Sequence, residues 1–211
     1  MMRRAALLAL PLLLAGCSVF PERPNVPVRR FTLNPQRPTR RTAPGGAAVL
    51  LIRRVRGVPG LQELGLRRVR ADGGFEIAAW DQWLAPPSDL VEAALRSWLQ
   101  ASGLFAAVVA PGSRAEHTLV LEAQLTALDS VPAANEARAG LAGVLLLERG
   151  LSSRVLTTFD VAGRAPMPPG ADAPAEAAAI EAALGDAFAN LEQAFVQGLP
   201  TARPAGRSAA R

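Results

Sequence analysis

The stretch Leu119-Val120-Leu121-Glu122-Ala123-Gln124-Leu125-Thr126-Ala127 decides the fold class. Leu119, Leu121, Ala123, Leu125 and Ala127 alternate with Val120, Glu122, Gln124 and Thr126. A period of two puts one set on each side of a pleated backbone, so the segment predicts a half-buried β-strand. Downstream, Leu141 to Glu148 and Arg154 to Val161 predict two more strands joined by a turn at Arg149-Gly150. Val155, Thr157, Phe159 and Val161 mark the expected core face of the last one. Then the period changes. Ile180, Leu184, Phe188, Leu191, Phe195 and Leu199 recur every three or four residues behind Asp172 and Pro174. That pattern is the apolar stripe of a long helix, stopped by Gly198-Leu199-Pro200.

Upstream, Ala47 to Val55 is apolar and β-branched enough for a buried strand, ended by Gly57, Pro59 and Gly60. Leu66 to Arg70 and Phe75 to Trp80 flank Asp72-Gly73-Gly74, a hairpin signal. Pro86-Pro87-Ser88-Asp89 opens a helix whose pairs Leu90/Val91, Ala94/Leu95 and Trp98/Leu99 form one stripe before Gly103. Phe105 to Val109 then reads as a short buried strand. Strands, helix, strands, helix predict a two-layer α+β arrangement within the broad α/β class. The expected sheet is mixed and mainly antiparallel, with two helices packed on one face.

The 211 residues are half hydrophobic, enough for a packed core. A single Cys excludes a disulfide framework and a one-chain zinc finger or iron–sulfur site, and a single His excludes multi-histidine metal chemistry. The 23 basic residues are all Arg, and there is no Tyr. Without Lys, neither P-loop nor Schiff-base chemistry is available.

The amino terminus reads as an address. Arg3 and Arg4 precede the apolar run Ala5 to Leu14, and Leu14-Ala15-Gly16-Cys17 follows. A charged start, a short apolar run and small residues before a cleavage point make a secretory signal. The run is well short of the ~20 residues a membrane-spanning helix needs. Leu-Ala-Gly-Cys resembles the bacterial lipobox. In such signals the Cys thiol takes a diacylglycerol, the leader is removed before it, and the new amine is acylated. Cys17 is therefore the expected lipidation site, and those acyl groups are the only attached group expected: no cofactor and no metal. Ser18 in place of Asp leans toward the inner leaflet of the outer membrane, facing the periplasm.

These signals divide the chain. Residues 1–16 are the expected lipoprotein signal peptide, and 17–46 the lipidated Cys and a Pro/Arg-rich tether. Residues 47–199 are one domain, and 200–211 an expected disordered tail. Residues 18–46 hold six Pro and six Arg, a composition that favours extended backbone. Phe31-Thr32-Leu33 interrupts it as a candidate edge strand. Charge is uneven: residues 17–70 carry 12 Arg against Glu22 and Glu63, whereas residues 71–211 carry 9 Arg against 16 acids. Arg53, Arg54, Arg56, Arg67, Arg68 and Arg70 lie on two expected strands. They read either as a basic patch for anionic headgroups or an acidic partner, or as solvated edge positions.

No sequence pattern for bond-making chemistry stands out. There is no Gly-x-Ser-x-Gly elbow and no Gly-x-Gly-x-x-Gly after a strand. His117 beside Glu116 reads as a structural or surface residue, and Glu76 and Asp81 as solvent-facing carboxylates. No nucleic-acid motif is present, and a non-enzymatic role is expected.

Four runs carry a resemblance: Val55-Arg56-Gly57-Val58-Pro59-Gly60-Leu61, Val69-Arg70-Ala71-Asp72-Gly73-Gly74-Phe75-Glu76, Trp80-Asp81-Gln82-Trp83-Leu84-Ala85-Pro86-Pro87, and Leu99-Gln100-Ala101-Ser102-Gly103-Leu104-Phe105. With the lipobox ahead of them, they resemble the ABC-type transport auxiliary lipoprotein family. Members often begin with Tyr-Tyr-x-Leu, where this chain has Arg30-Phe31-Thr32-Leu33. The resemblance implies a non-catalytic periplasmic lipoprotein of an MCE-type ABC lipid transport system. Its partners would be an MCE-domain protein with its permease and ATPase, and the membrane through the anchor. A homo-oligomer is compatible with that role. The other reading left open is an envelope assembly scaffold that handles no lipid. Expected contact residues are Leu61, Trp83, Arg53, Arg54, Arg67 and Arg68.

Overall fold

The structure, a computed structural model, describes residues 26–38 and 46–198. Residues 1–25, which include Cys17, the tail 200–211, and Leu199 of the helix stripe lie outside them. Eight strands and two helices follow in order: β1 (Arg29–Phe31), β2 (Val49–Gly57), β3 (Gly65–Val69), β4 (Phe75–Trp83), α1 (Pro87–Ser102), β5 (Ala107–Val109), β6 (Leu119–Val131), β7 (Glu136–Arg149), β8 (Ser152–Pro166) and α2 (Ala173–Gly198).

One mixed sheet holds all eight strands. Its centre is β6. One edge of β6 pairs in parallel with β2 along its first half and with β3 near its end; the other edge pairs antiparallel with β7, which pairs antiparallel with β8. Beyond β3 come antiparallel β4 and then β1, which runs parallel to β4; β5 extends β2 in parallel. The long ladders are the antiparallel ones, as expected from the sequence.

Both helices lie on one face. α1 buries Val91, Ala94, Leu95, Trp98 and Leu99 against β2 and β5. α2 crosses β8, β7 and β6, with Ile180, Leu184, Phe188, Leu191 and Phe195 fully buried. The helices meet where Trp98 and Phe188 stack edge to face at 5.6 Å. Gly163 on β8 lets α2 approach closely: a Cβ there would stand 2.1 Å from the Ala183 carbonyl oxygen. Asp172 starts α2 by accepting a hydrogen bond from the Ala175 amide at 3.0 Å.

Three single-residue bulges revise the faces expected from strict alternation. The β6–β7 register jumps from Leu125 to Ala127, so parity changes at Thr126. Leu128 and Ser130 then take the core face that the sequence pattern assigned to Ala127. In β8 the register passes from Thr157 to Val155, skipping Leu156. Phe159 is core as expected, but Val155 is 53% exposed, while Leu156 packs against the core. In β2 the register skips Arg53, between Ile52 and Arg54.

The Pro/Arg-rich segment is partly fastened to the domain. β1 pairs with β4, and Leu33 is buried. The Asn34 amide donates to Glu181 at 2.8 Å, and Arg37 donates to both oxygens of Glu192, at 3.1 and 2.7 Å. Glu192 also accepts from Trp98 Nε1 at 3.3 Å. Residues 29–37 thus form a strap that pairs with β4 through β1 and then reaches α2 at Asn34 and Arg37; the edge strand expected at Phe31-Thr32-Leu33 forms at Arg29–Phe31.

Candidate functional site

The expected contact residues fall into three environments. Trp83 is 1% exposed and Leu61 3%, so neither can meet a partner at the surface, contrary to the sequence expectation. The cause is local. β4 continues past Trp80 to Trp83, whose amide donates to the Leu64 carbonyl at 2.6 Å, and Leu84 donates to Phe31 at 2.7 Å. Those bonds and the added β1 strand carry β4 through Trp83, whose side chain joins Leu61 in the hydrophobic core. Trp80 is the exposed tryptophan of this strand, at 51%.

Arg67 and Arg68, on the regular part of β3, point to opposite faces as period two requires. Arg67 is buried and donates to Asp129 of β6, with the Phe75 ring 4.4 Å from its guanidinium carbon. Arg68 turns toward the helix face and donates three hydrogen bonds, between 2.7 and 3.0 Å, to Glu176 of α2. Glu176 is 2% exposed and also accepts from the Ser130 hydroxyl. Its hydrogen bonds hold the Arg68 guanidinium protonated more firmly than usual. These two arginines therefore lock β3, β6 and α2 together, where the sequence placed them on a contact surface.

The β2 arginines do the opposite. The bulge at Arg53 sends Arg53 and Arg54 to the same, helix-free side of the sheet, and Arg56 follows on that side. Arg53 bridges two carboxylates, Glu122 at 2.6 Å and Glu148 at 2.8 Å, which raise its pKa. Among the described residues neither Arg54 nor Arg56 has a hydrogen-bond or ion-pair partner. Both border a groove of about 350 Å³ whose far wall is Ala142 and Val144 of β7. Of the expected contact set, Arg53 and Arg54 are the members the structure brings together at a surface. Arg56 was noticed in the sequence as part of the charged stretch but not chosen as a contact residue.

The remaining candidates are settled by their neighbours. Glu76 lies 3.3 Å from Arg68 and Asp81 lies 2.6 Å from Arg29. His117 Nε2 is 3.9 Å from Glu148. No three His, Cys, Asp or Glu side chains among the described residues gather in a metal-holding group. No described helix is long and apolar enough to cross a membrane.

No family model and no curated protein matches the chain. Among solved structures it is similar to protein XCC0632 from Xanthomonas campestris, described with the family model DUF330. The TM-score is 0.67 at 21% identity, over 80% of this chain and 96% of that one. A second similar structure, an uncharacterized protein, gives a TM-score of 0.56 at 14% identity, over 80% of this chain and 99% of that one. At these identities the likeness establishes a shared fold.

Proposed function

We infer that the chain is a lipid-anchored, non-catalytic accessory of an MCE-type ABC lipid transporter, held at the periplasmic side of the envelope, at the outer membrane. The observation that carries this reading is Leu14-Ala15-Gly16-Cys17 at the end of a signal-like run. Diacylglycerol and an N-acyl chain on Cys17 supply ~0.8 kcal/mol per buried CH₂, enough for a stable anchor. The strap supports the same reading. A pull on the leash at residues before 29 would be borne by β1 and by the Glu181 and Glu192 contacts, so the domain is held at a defined end of its sheet. The rest of the function is then contact: the anchor sets location, and the exposed sheet face and edges meet the conduit protein or its cargo.

The test is metabolic labelling with a clickable fatty acid in the native host, followed by membrane fractionation and photo-crosslinked affinity purification. The wild-type chain should label, sediment with membranes and recover an MCE-domain protein. Cys17→Ala should lose the label. An unlabelled wild-type chain, or a labelled one that recovers barrel-assembly components and no MCE protein, would overturn the reading.

A further inference from the structure

We propose that the groove on the helix-free face of the sheet is a binding site for one phospholipid, with Arg54 and Arg56 holding the headgroup phosphodiester and the apolar column of β7 receiving an acyl chain. This rests on the lipid-handling reading above and deepens it by naming the ligand class and its site.

Strand register supplies the geometry. Across the outer face, Arg54 is in line with Glu122, Val144 and Thr158, and Arg56 with Gln124, Ala142 and Asp160. One row further along lie Leu51, Val120, Leu146 and Val155. The face thus has a cationic column on β2 and an apolar column, Ala142-Val144-Leu146, on β7. At about 4.8 Å per strand the two columns are roughly 10 Å apart across the face. The apolar column leads on to the exposed Val155.

The arginines of β2 favour an anion at that wall. Arg53 is engaged by Glu122 and Glu148, so those carboxylates are already occupied. The groove's lining holds Arg53, Arg54 and Arg56 against Glu122; with Glu148 drawn to Arg53 from outside that lining and Asp160 beyond Ala142 in the row of Arg56, the positive charge open to an anion stays on the β2 wall. It is carried on the two guanidinium groups that have no partner among the described residues. The same two arginines also border a second hollow, together with Asp89 at the start of α1, with which neither forms an ion pair. A guanidinium pair on alternate residues of a strand can offer paired N–H donors to a phosphate from one side. The groove volume falls at the lower end of the ~300–1,000 Å³ typical of small-ligand sites, which suits a headgroup with its first methylenes.

The test uses the full chain with Cys17→Ala, so that no attached lipid competes, and isothermal titration calorimetry with monomeric dihexanoyl-phosphatidylglycerol. The chain should bind it, and Arg54→Ala with Arg56→Ala should weaken binding at least about tenfold, because the phosphodiester loses its charge-assisted hydrogen-bond donors. Val144→Asp should weaken it too, and Arg149→Ala with Arg154→Ala should leave it unchanged. Inorganic phosphate bound as tightly as the lipid would overturn the acyl-chain half and with it the proposal. No lipid binding by a chain that still recovers the MCE protein would overturn the site and leave the accessory role standing. Loss of MCE recovery in the Arg54/Arg56 variant with lipid binding intact would reassign the arginines to an acidic protein partner. Failure of both lipid binding and MCE recovery would remove both readings.

Discussion

Two arginine doublets, Arg53-Arg54 and Arg67-Arg68, look alike in the sequence and have opposite duties in the fold. On β3 the doublet follows regular pleating, so the two side chains part, one to each face, and each is met by an acid from another element. On β2 a bulge at Arg53 puts both side chains on the open face, where one is neutralised and the other is not. A doublet of cations on a strand is thus not a patch by itself. Whether it becomes structure or surface depends on the local register and on which carboxylates distant segments bring to it.

The largest break of this contrast should come from Asp129→Ala. It strands the Arg67 guanidinium at a site where both partners are more than nine-tenths buried. Removing one member of a buried pair costs about 3–5 kcal/mol because the other charge is left uncompensated. Urea denaturation should show that loss. Arg67→Met combined with Asp129→Leu should recover most of it, since a well-packed apolar pair can replace a buried ion pair. If Asp129→Ala costs less than about 1 kcal/mol, the β3 doublet is a surface feature after all and the contrast fails.

That clamp also marks where reading the sequence stops. Element order and both helix stripes follow from local periodicity, and the Asp72-Gly73-Gly74 hairpin follows from turn chemistry: Gly73 has φ +82° and the Gly74 amide donates to Asp72 at 2.9 Å. Bulges do not show. They fall on Arg53, Thr126 and Leu156, ordinary side chains and not the glycines that would announce them, so Ala127 and Val155 were assigned to the wrong face. The alternating pattern ends at Ala127 and gives Asp129 and Ser130 no role. Their partners, Arg67 and Glu176, lie far away in sequence, and only the fold brings them together. Non-local partners hid the strap as well, since Arg37 depends on Glu192. At the candidate site, Arg53 and Arg54 were legible as charge, whereas Trp83 was misread because β1 and the Leu64 carbonyl extend β4 by three residues.

Glu136 gives a smaller effect that sharpens the comparison. It lies at the start of β7, 2.5 Å from Arg138 and 3.1 Å from Arg164, and those arginines hold its carboxyl below the usual range. Its folded pKa is below its unfolded one, so the pairing stabilises the fold above the ordinary glutamate pKa. That contribution is lost as pH falls through the folded value, a window beginning at roughly pH 4 and extending below it. Glu136→Gln should lower the urea midpoint slightly at neutral pH and make no difference once the wild-type carboxyl is protonated. A gap between the two proteins that persists unchanged into acid would show that the arginines act on Glu136 by packing and not by charge.

The smallest effect should belong to Arg54→Ala with Arg56→Ala. Neither side chain has a partner to lose among the described residues, both are exposed, and the alanines still fit the outer face of a strand. Surface changes of this kind stay within about 0.5 kcal/mol. Equal urea midpoints for the double variant and the wild type would show that these two charges contribute nothing to holding the fold, unlike Arg67 and Arg68. A midpoint lowered as far as that of Asp129→Ala would mean that β2 and β3 use their arginines in the same way, and the groove would lose its claim to being built for a ligand.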